Sequence, residues 1–142
     1  MKLRCLIVLC SLLPAVACHA ASADKAVPAE APADVSVRLV TAAVGDDVKP
    51  GDPRITQTRN WLVQVKKATG EEDEAIAAAC MRLSGYLYDV TKIRVSPLEV
   101  LEMLAKHAPA GKPLNETTSR YFELRAKKHL GHSEAMAALA GK

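Results

Sequence analysis

Apolar residues recur at helical spacing through the second half of the chain. In residues 75–90, "AIAAACMRLSGYLYDV", the side chains Ile76, Cys80, Leu83, Leu87 and Val90 follow steps of four and three. That pattern predicts a helix with one buried stripe. Ahead of it, Ile55, Leu62 and Val65 share a face with Trp61 at its edge, and Gly70 ends the run. Asp52 is a capping residue and Pro53 suits a first helical turn. The acids Glu71, Glu72, Asp73 and Glu74 sit where a helix dipole favours negative charge.

"SPLE", residues 96–99, predicts a third start. Ser96 caps, Pro97 takes the first position and Glu99 reaches back to the cap. Leu98, Leu101, Leu104 and Ala105 supply its buried stripe. Pro109, Gly111 and Pro113 close that helix. A fourth helix is expected after Asn115 or Thr118, with Tyr121, Phe122, Leu124 and Leu130. Gly131 breaks it, and a short fifth helix restarts at Ser133 with Met136 and Leu139.

Residues 24–52 read differently. They are rich in Ala, Pro, Val and Asp and lack a helical period, which predicts a linker or disordered arm. Within it Val35, Val37 and Leu39 alternate with Ser36 and Arg38, the pattern of one short strand. The expected organisation is a leader over 1–23, an arm over 24–52 and a helical domain over 53–142. The fold class is all-α, a small irregular bundle of about five helices.

The leader has a basic start at Lys2 and Arg4, an apolar run over 5–17 and then small residues. This is the plan of a secretory signal peptide, too short for a comfortable membrane span. "ASA" at 21–23 predicts cleavage before Asp24 and a periplasmic product. The alternative is a lipoprotein anchored at Cys18, which follows "AVA".

Cleavage changes the chemistry on offer. Cys5, Cys10 and Cys18 leave, so Cys80 is the one cysteine of the exported chain. No intramolecular disulfide can form. The 19 basic and 16 acidic residues of the full chain become nearly balanced once Lys2 and Arg4 are gone, which speaks against a nucleic-acid partner. Cys80 lies in the apolar stripe, where it acts as a small hydrophobe with a protonated thiol. His107, His129 and His132 show no third metal ligand, so no metal or other cofactor is expected. No glycine-rich phosphate loop or nucleophile motif occurs. A binding protein is therefore expected rather than an enzyme. The small residues around Ala78 and Gly85 form a face on which a second copy could pack.

The motif order adds a resemblance. "RNWLVQVKKATG", "ACMRLSGYLYDV", "SPLEVLEMLAKH" and "RYFELRAKKHLGHSEAMAALA" together resemble the immunity proteins that neutralise type VI secretion amidase effectors. The likeness runs from Arg59 to Leu139. It includes an aromatic in the first helix (Trp61), an Ala/Ser-rich second helix (residues 77–85) and a late "HSEAM" segment. The family's usual cysteine pair would fall near Lys66 and Lys127, and neither is cysteine here. The resemblance implies a periplasmic homodimer that inhibits a peptidoglycan amidase by inserting a loop into its active-site groove. The loop it implies is residues 108–118, with Pro109, Gly111, Lys112, Pro113, Leu114 and Asn115 as partner-binding residues and Ala78 and Gly85 at the dimer interface. The alternative is an exported helical chaperone-like or envelope-stress binder with no amidase partner.

Overall fold

Six α-helices and one π turn follow one another in the computed structural model, which describes residues 34–45 and 48–141. They are α1 (Val35–Val44), α2 (Pro53–Thr69), α3 (Asp73–Thr91), α4 (Pro97–His107), α5 (Leu114–Phe122), the π turn Glu123–Lys127 and α6 (His132–Ala140). The expected all-α irregular bundle is what forms, and no strand occurs among the described residues. The expected leader and lipid-anchoring Cys18 lie outside the described residues. Among those residues, no helix is long and apolar enough to cross a membrane.

The start signals act as their chemistry requires. The Asp52 carboxylate accepts from the Arg54 N–H at 2.9 Å, with Pro53 in the first turn of α2. Ser96 and Glu99 form a reciprocal capping box on α4. Ser96 Oγ accepts from the Leu98 N–H, and Glu99 accepts from the Ser96 N–H at 2.7 Å. A lost N-cap typically costs about 1 kcal/mol, so these residues fix where each helix begins.

The helical domain begins earlier than the sequence pattern suggested. Residues 35–44 are helix α1, where an arm or short strand was expected. The alternating valines belong to a helix whose buried positions are Ser36, Leu39 and Val40, spaced three and four apart. Asp34 caps it by accepting from both the N–H and the hydroxyl of Ser36. Asp34 also receives the Arg59 guanidinium at 2.8 Å, which ties the start of α1 to α2. Burying side chains such as Leu39 and Val40 is worth about 1.5–3 kcal/mol each, enough to override a strand-like local pattern.

The centre of the bundle is α4. It packs against α1, α2, α3, α5 and α6. Val100, Leu101, Met103 and Leu104 are all fully buried, so several of its faces are covered. The four-residue stripe expected there is wider than predicted and includes Val100 and Met103, while Leu98 and Ala105 are half-buried. By contrast α3 buries one face and exposes the other. Ile76, Cys80, Leu83 and Leu87 face inward, but Val90 in its last turn is 52% exposed and lies off the expected stripe.

After Phe122 the chain widens into the π turn, closed by the Lys128 N–H bonding to the Glu123 carbonyl at 3.1 Å. The wider turn directs Leu124 and Arg125 into the interior while Glu123 and Lys127 stay outside. His129 then takes a left-handed backbone, φ 55°, and α6 begins at His132.

Candidate functional site

The implied loop is shorter than expected. It spans residues 108–113, because Leu114 and Asn115 already form the first turn of α5. Pro109, Ala110, Gly111 and Lys112 make a tight turn closed by the Lys112 N–H and the Pro109 carbonyl. Gly111 sits at φ 71°, a left-handed position that a side chain would strain. Its N–H donates to the Ala68 carbonyl at 2.8 Å and so anchors the turn to the end of α2. Lys112 and Glu116 form an ion pair at 3.6 Å across the start of α5.

Five of the six predicted contact residues fall on or near the surface, and one does not. Gly111, Lys112, Pro113 and Asn115 are exposed and Pro109 is half-buried. Leu114 is buried in the core cluster and packs α5 in place, with only a small part of its surface open.

Beside this turn runs a groove of about 820 Å³ between α3 and the α5–π segment. Pro113, Leu114 and Asn115 line one part of it. Ala75, Ala79 and Leu83 form an apolar wall, and Tyr86 stacks on Phe122 with ring centroids 4.8 Å apart. Glu71, Arg82, Glu123 and Lys127 complete the lining with charge of both signs. The sequence pattern did not reveal this groove, because Tyr86 and Phe122 read as parts of separate helices. The small side chains Ala75 and Ala79 were the available signal, since they leave space between α3 and α5.

Ala78 and Gly85 lie on a different face of α3. Gly85 is exposed, and a Cβ added there meets nothing within 4 Å. Met81 and Tyr88 are 46% and 43% exposed, and one turn separates each from Gly85. The structure therefore brings Ala78, Met81, Gly85 and Tyr88 onto one outward stripe.

Cys80, Tyr121 and His132 are held in the interior or in hydrogen bonds. Cys80 is fully buried, and desolvation pushes its thiol up to about 12. A thiol held in that state is a poor nucleophile. His132 Nδ1 lies 2.8 Å from the Tyr121 hydroxyl, and its Nε2 is 3.6 Å from Glu102. Tyr121 is fully buried, and burial raises its phenol to about 12. This carboxylate–imidazole–phenol chain is thus an internal brace between α4, α5 and α6. Among the described residues no group of three metal-ligating side chains comes together.

No protein-family model matches the chain, no curated protein matches it, and no solved structure matches it.

Proposed function

We propose that this chain is a non-catalytic binding protein of the cell envelope, an immunity protein that inhibits a type VI secreted peptidoglycan amidase. The observation that carries this reading is the continuity of the anchored turn with the open groove. The Gly111–Ala68 bond and the flanking prolines preorganise the turn, so less entropy is lost on binding. The exposed side chains run from Lys112 through Asn115 to the Tyr86–Phe122 pair. Aromatic residues bordered by charge are the usual make-up of an interface anchor. The turn would enter the amidase groove while the α3–α5 groove receives an apolar element of the same partner.

The homodimer belongs to this proposal. Arg82 and Asp89 flank Gly85, as do Met81 and Tyr88, and the two members of each pair are seven residues apart. In an antiparallel two-fold pairing of α3 centred at Gly85, Arg82 meets the second copy's Asp89 and Met81 meets its Tyr88. Such an isologous contact is self-complementary in both charge and shape.

The test is hydrolysis of peptidoglycan stem peptides by an amidase encoded beside this chain, titrated with the purified protein. Stoichiometric inhibition is expected. Failure to bind or inhibit any such amidase removes the immunity reading. Binding of unrelated unfolded envelope proteins would instead favour the chaperone-like one, to which the open apolar groove is also suited.

A further inference from the structure

A second, smaller pocket of about 160 Å³ lies between α2 and the start of α4. Arg54, Gln57, Thr58 and Trp61 face it from α2 at steps of three, one and three. Leu98, Glu99 and Glu102 face it from α4, with the cap residue Ser96. Its volume suits the tip of a side chain rather than a whole small molecule.

Thr58 supplies the first sign of a ligand. Thr69, Thr91 and Thr118 each return their hydroxyl to the carbonyl four residues back. Thr58 does not: it is fully buried, lines this pocket, and its Oγ1 has no hydrogen-bond partner. A buried hydroxyl without a partner is costly, and a donor that reached it by a small shift of the lining would satisfy it.

Charge supplies the second. Glu99 and Glu102 stand one turn apart on α4. Glu99 lines the pocket and uses Oε2 for the cap. Glu102 is shared with Lys106 and His132, and the Lys106 hydrogen bond holds its carboxyl below the usual range, so it remains charged. The one cation in the lining, Arg54, is bound to Asp52 through Nε at 3.0 Å and Nη2 at 2.6 Å. An anion would therefore meet two carboxylates, one of them paired with Lys106, and an arginine already paired with Asp52. A cation would meet two carboxylates and the ring of Trp61, whose face attracts positive charge.

We propose that this pocket binds the ammonium or guanidinium tip of a basic side chain presented by a partner protein. This stands apart from the immunity reading, because its test uses the free protein and no amidase.

Trp61 is the single tryptophan of the chain, so its emission reports on the pocket directly. The experiment titrates the full protein with Nα-acetyl-lysine methylamide, Nα-acetyl-arginine methylamide, ethylammonium and the uncharged norleucine analogue, at constant ionic strength. A saturable change in Trp61 emission is expected with the two blocked basic residues and none with norleucine. Glu102→Gln is expected to weaken binding by about fivefold, the upper range for one partly exposed ion pair. Thr58→Val should also weaken binding while leaving helical circular dichroism and melting unchanged or improved. A linear, unsaturable response, an equal response to norleucine, or unchanged affinity in both variants would overturn the proposal. Ethylammonium binding more tightly than blocked lysine would overturn the protein side chain as its source.

Discussion

Gly111 donates its backbone N–H to the Ala68 carbonyl at 2.8 Å, and this bond ties the turn between α4 and α5 to the end of α2. The turn therefore has a fixed address on a helix far from it in sequence. Gly111→Ala is expected to lower stability by about 1 kcal/mol, since alanine resists the left-handed backbone that Gly111 adopts. Thermal melting measures this. A Lys112→Glu change should leave melting almost unaltered, because Lys112 is exposed and its ion pair is a surface one. If the turn contacts the amidase, Lys112→Glu should still weaken inhibition. Replacing the whole of 112–115 is a poorer probe, since it would remove buried Leu114 as well.

Cys80 should label slowly with a thiol reagent in the native state and rapidly in denaturant. Equal rates would place it outside the core. Cys80→Ser is expected to cost on the order of 1–3 kcal/mol, because the hydroxyl enters a buried apolar site.

Alkali offers a separate check on the same burial. The Cys80 thiol is raised from 9.0 to about 12 and the Tyr121 phenol from 10.0 to about 12. Both groups lose their protons more readily in the unfolded chain. Their contribution to stability is present below about pH 9 and is lost as pH rises toward 12. Denaturant melts across that window should show falling stability, and Cys80→Ala should flatten the slope. An unchanged slope in Cys80→Ala would contradict the burial of the thiol.

Gly85→Ala should stabilise the monomer by up to about 1 kcal/mol, because glycine is a poor helix former and open space surrounds the site. Gly85→Lys should keep the fold for the same reason. If two copies pair through α3, Gly85→Lys should convert a dimer to a monomer in sedimentation velocity. A wild-type chain that sediments as a monomer at high concentration would remove the pairing.

His132→Ala strips the Tyr121 hydroxyl of its partner at 2.8 Å and should cost about 1–3 kcal/mol. Adding Tyr121→Phe should recover part of that loss, since the stranded hydroxyl is then gone. A double-mutant cycle by chemical denaturation measures the coupling, and strict additivity would mean that the brace contributes nothing.

Where the sequence carried both a cap and a period, the elements were legible. Asp52 with Pro53, and Ser96 with Glu99, marked the starts of α2 and α4, and Gly70 marked the end of α2. Helix α1 was hidden because Val35, Val37 and Leu39 alternate like a strand. Its helical form depends on surfaces that α2, α3 and α4 provide. The start of α5 was misjudged because Pro113 takes the cap position without a capping side chain. Of the binding surface, the Pro/Gly turn was readable from composition. The groove was not, because it exists only where α3 and α5 stand side by side. The Thr58 pocket was equally hidden, since a threonine looks the same in sequence whether or not its hydroxyl finds a partner.

The π turn at Glu123–Lys127 holds one residue more than an α-helical turn of the same reach, so it is a store of slack. A single-residue deletion there would let the backbone relax into an ordinary α-helical turn with almost no change in reach or in the direction of the chain that follows. A deletion inside the regular helix α4 has no such slack and would rotate everything after it by roughly 100° about the helix axis. A one-residue deletion in the π turn is therefore expected to melt closer to the wild type than a one-residue deletion in α4.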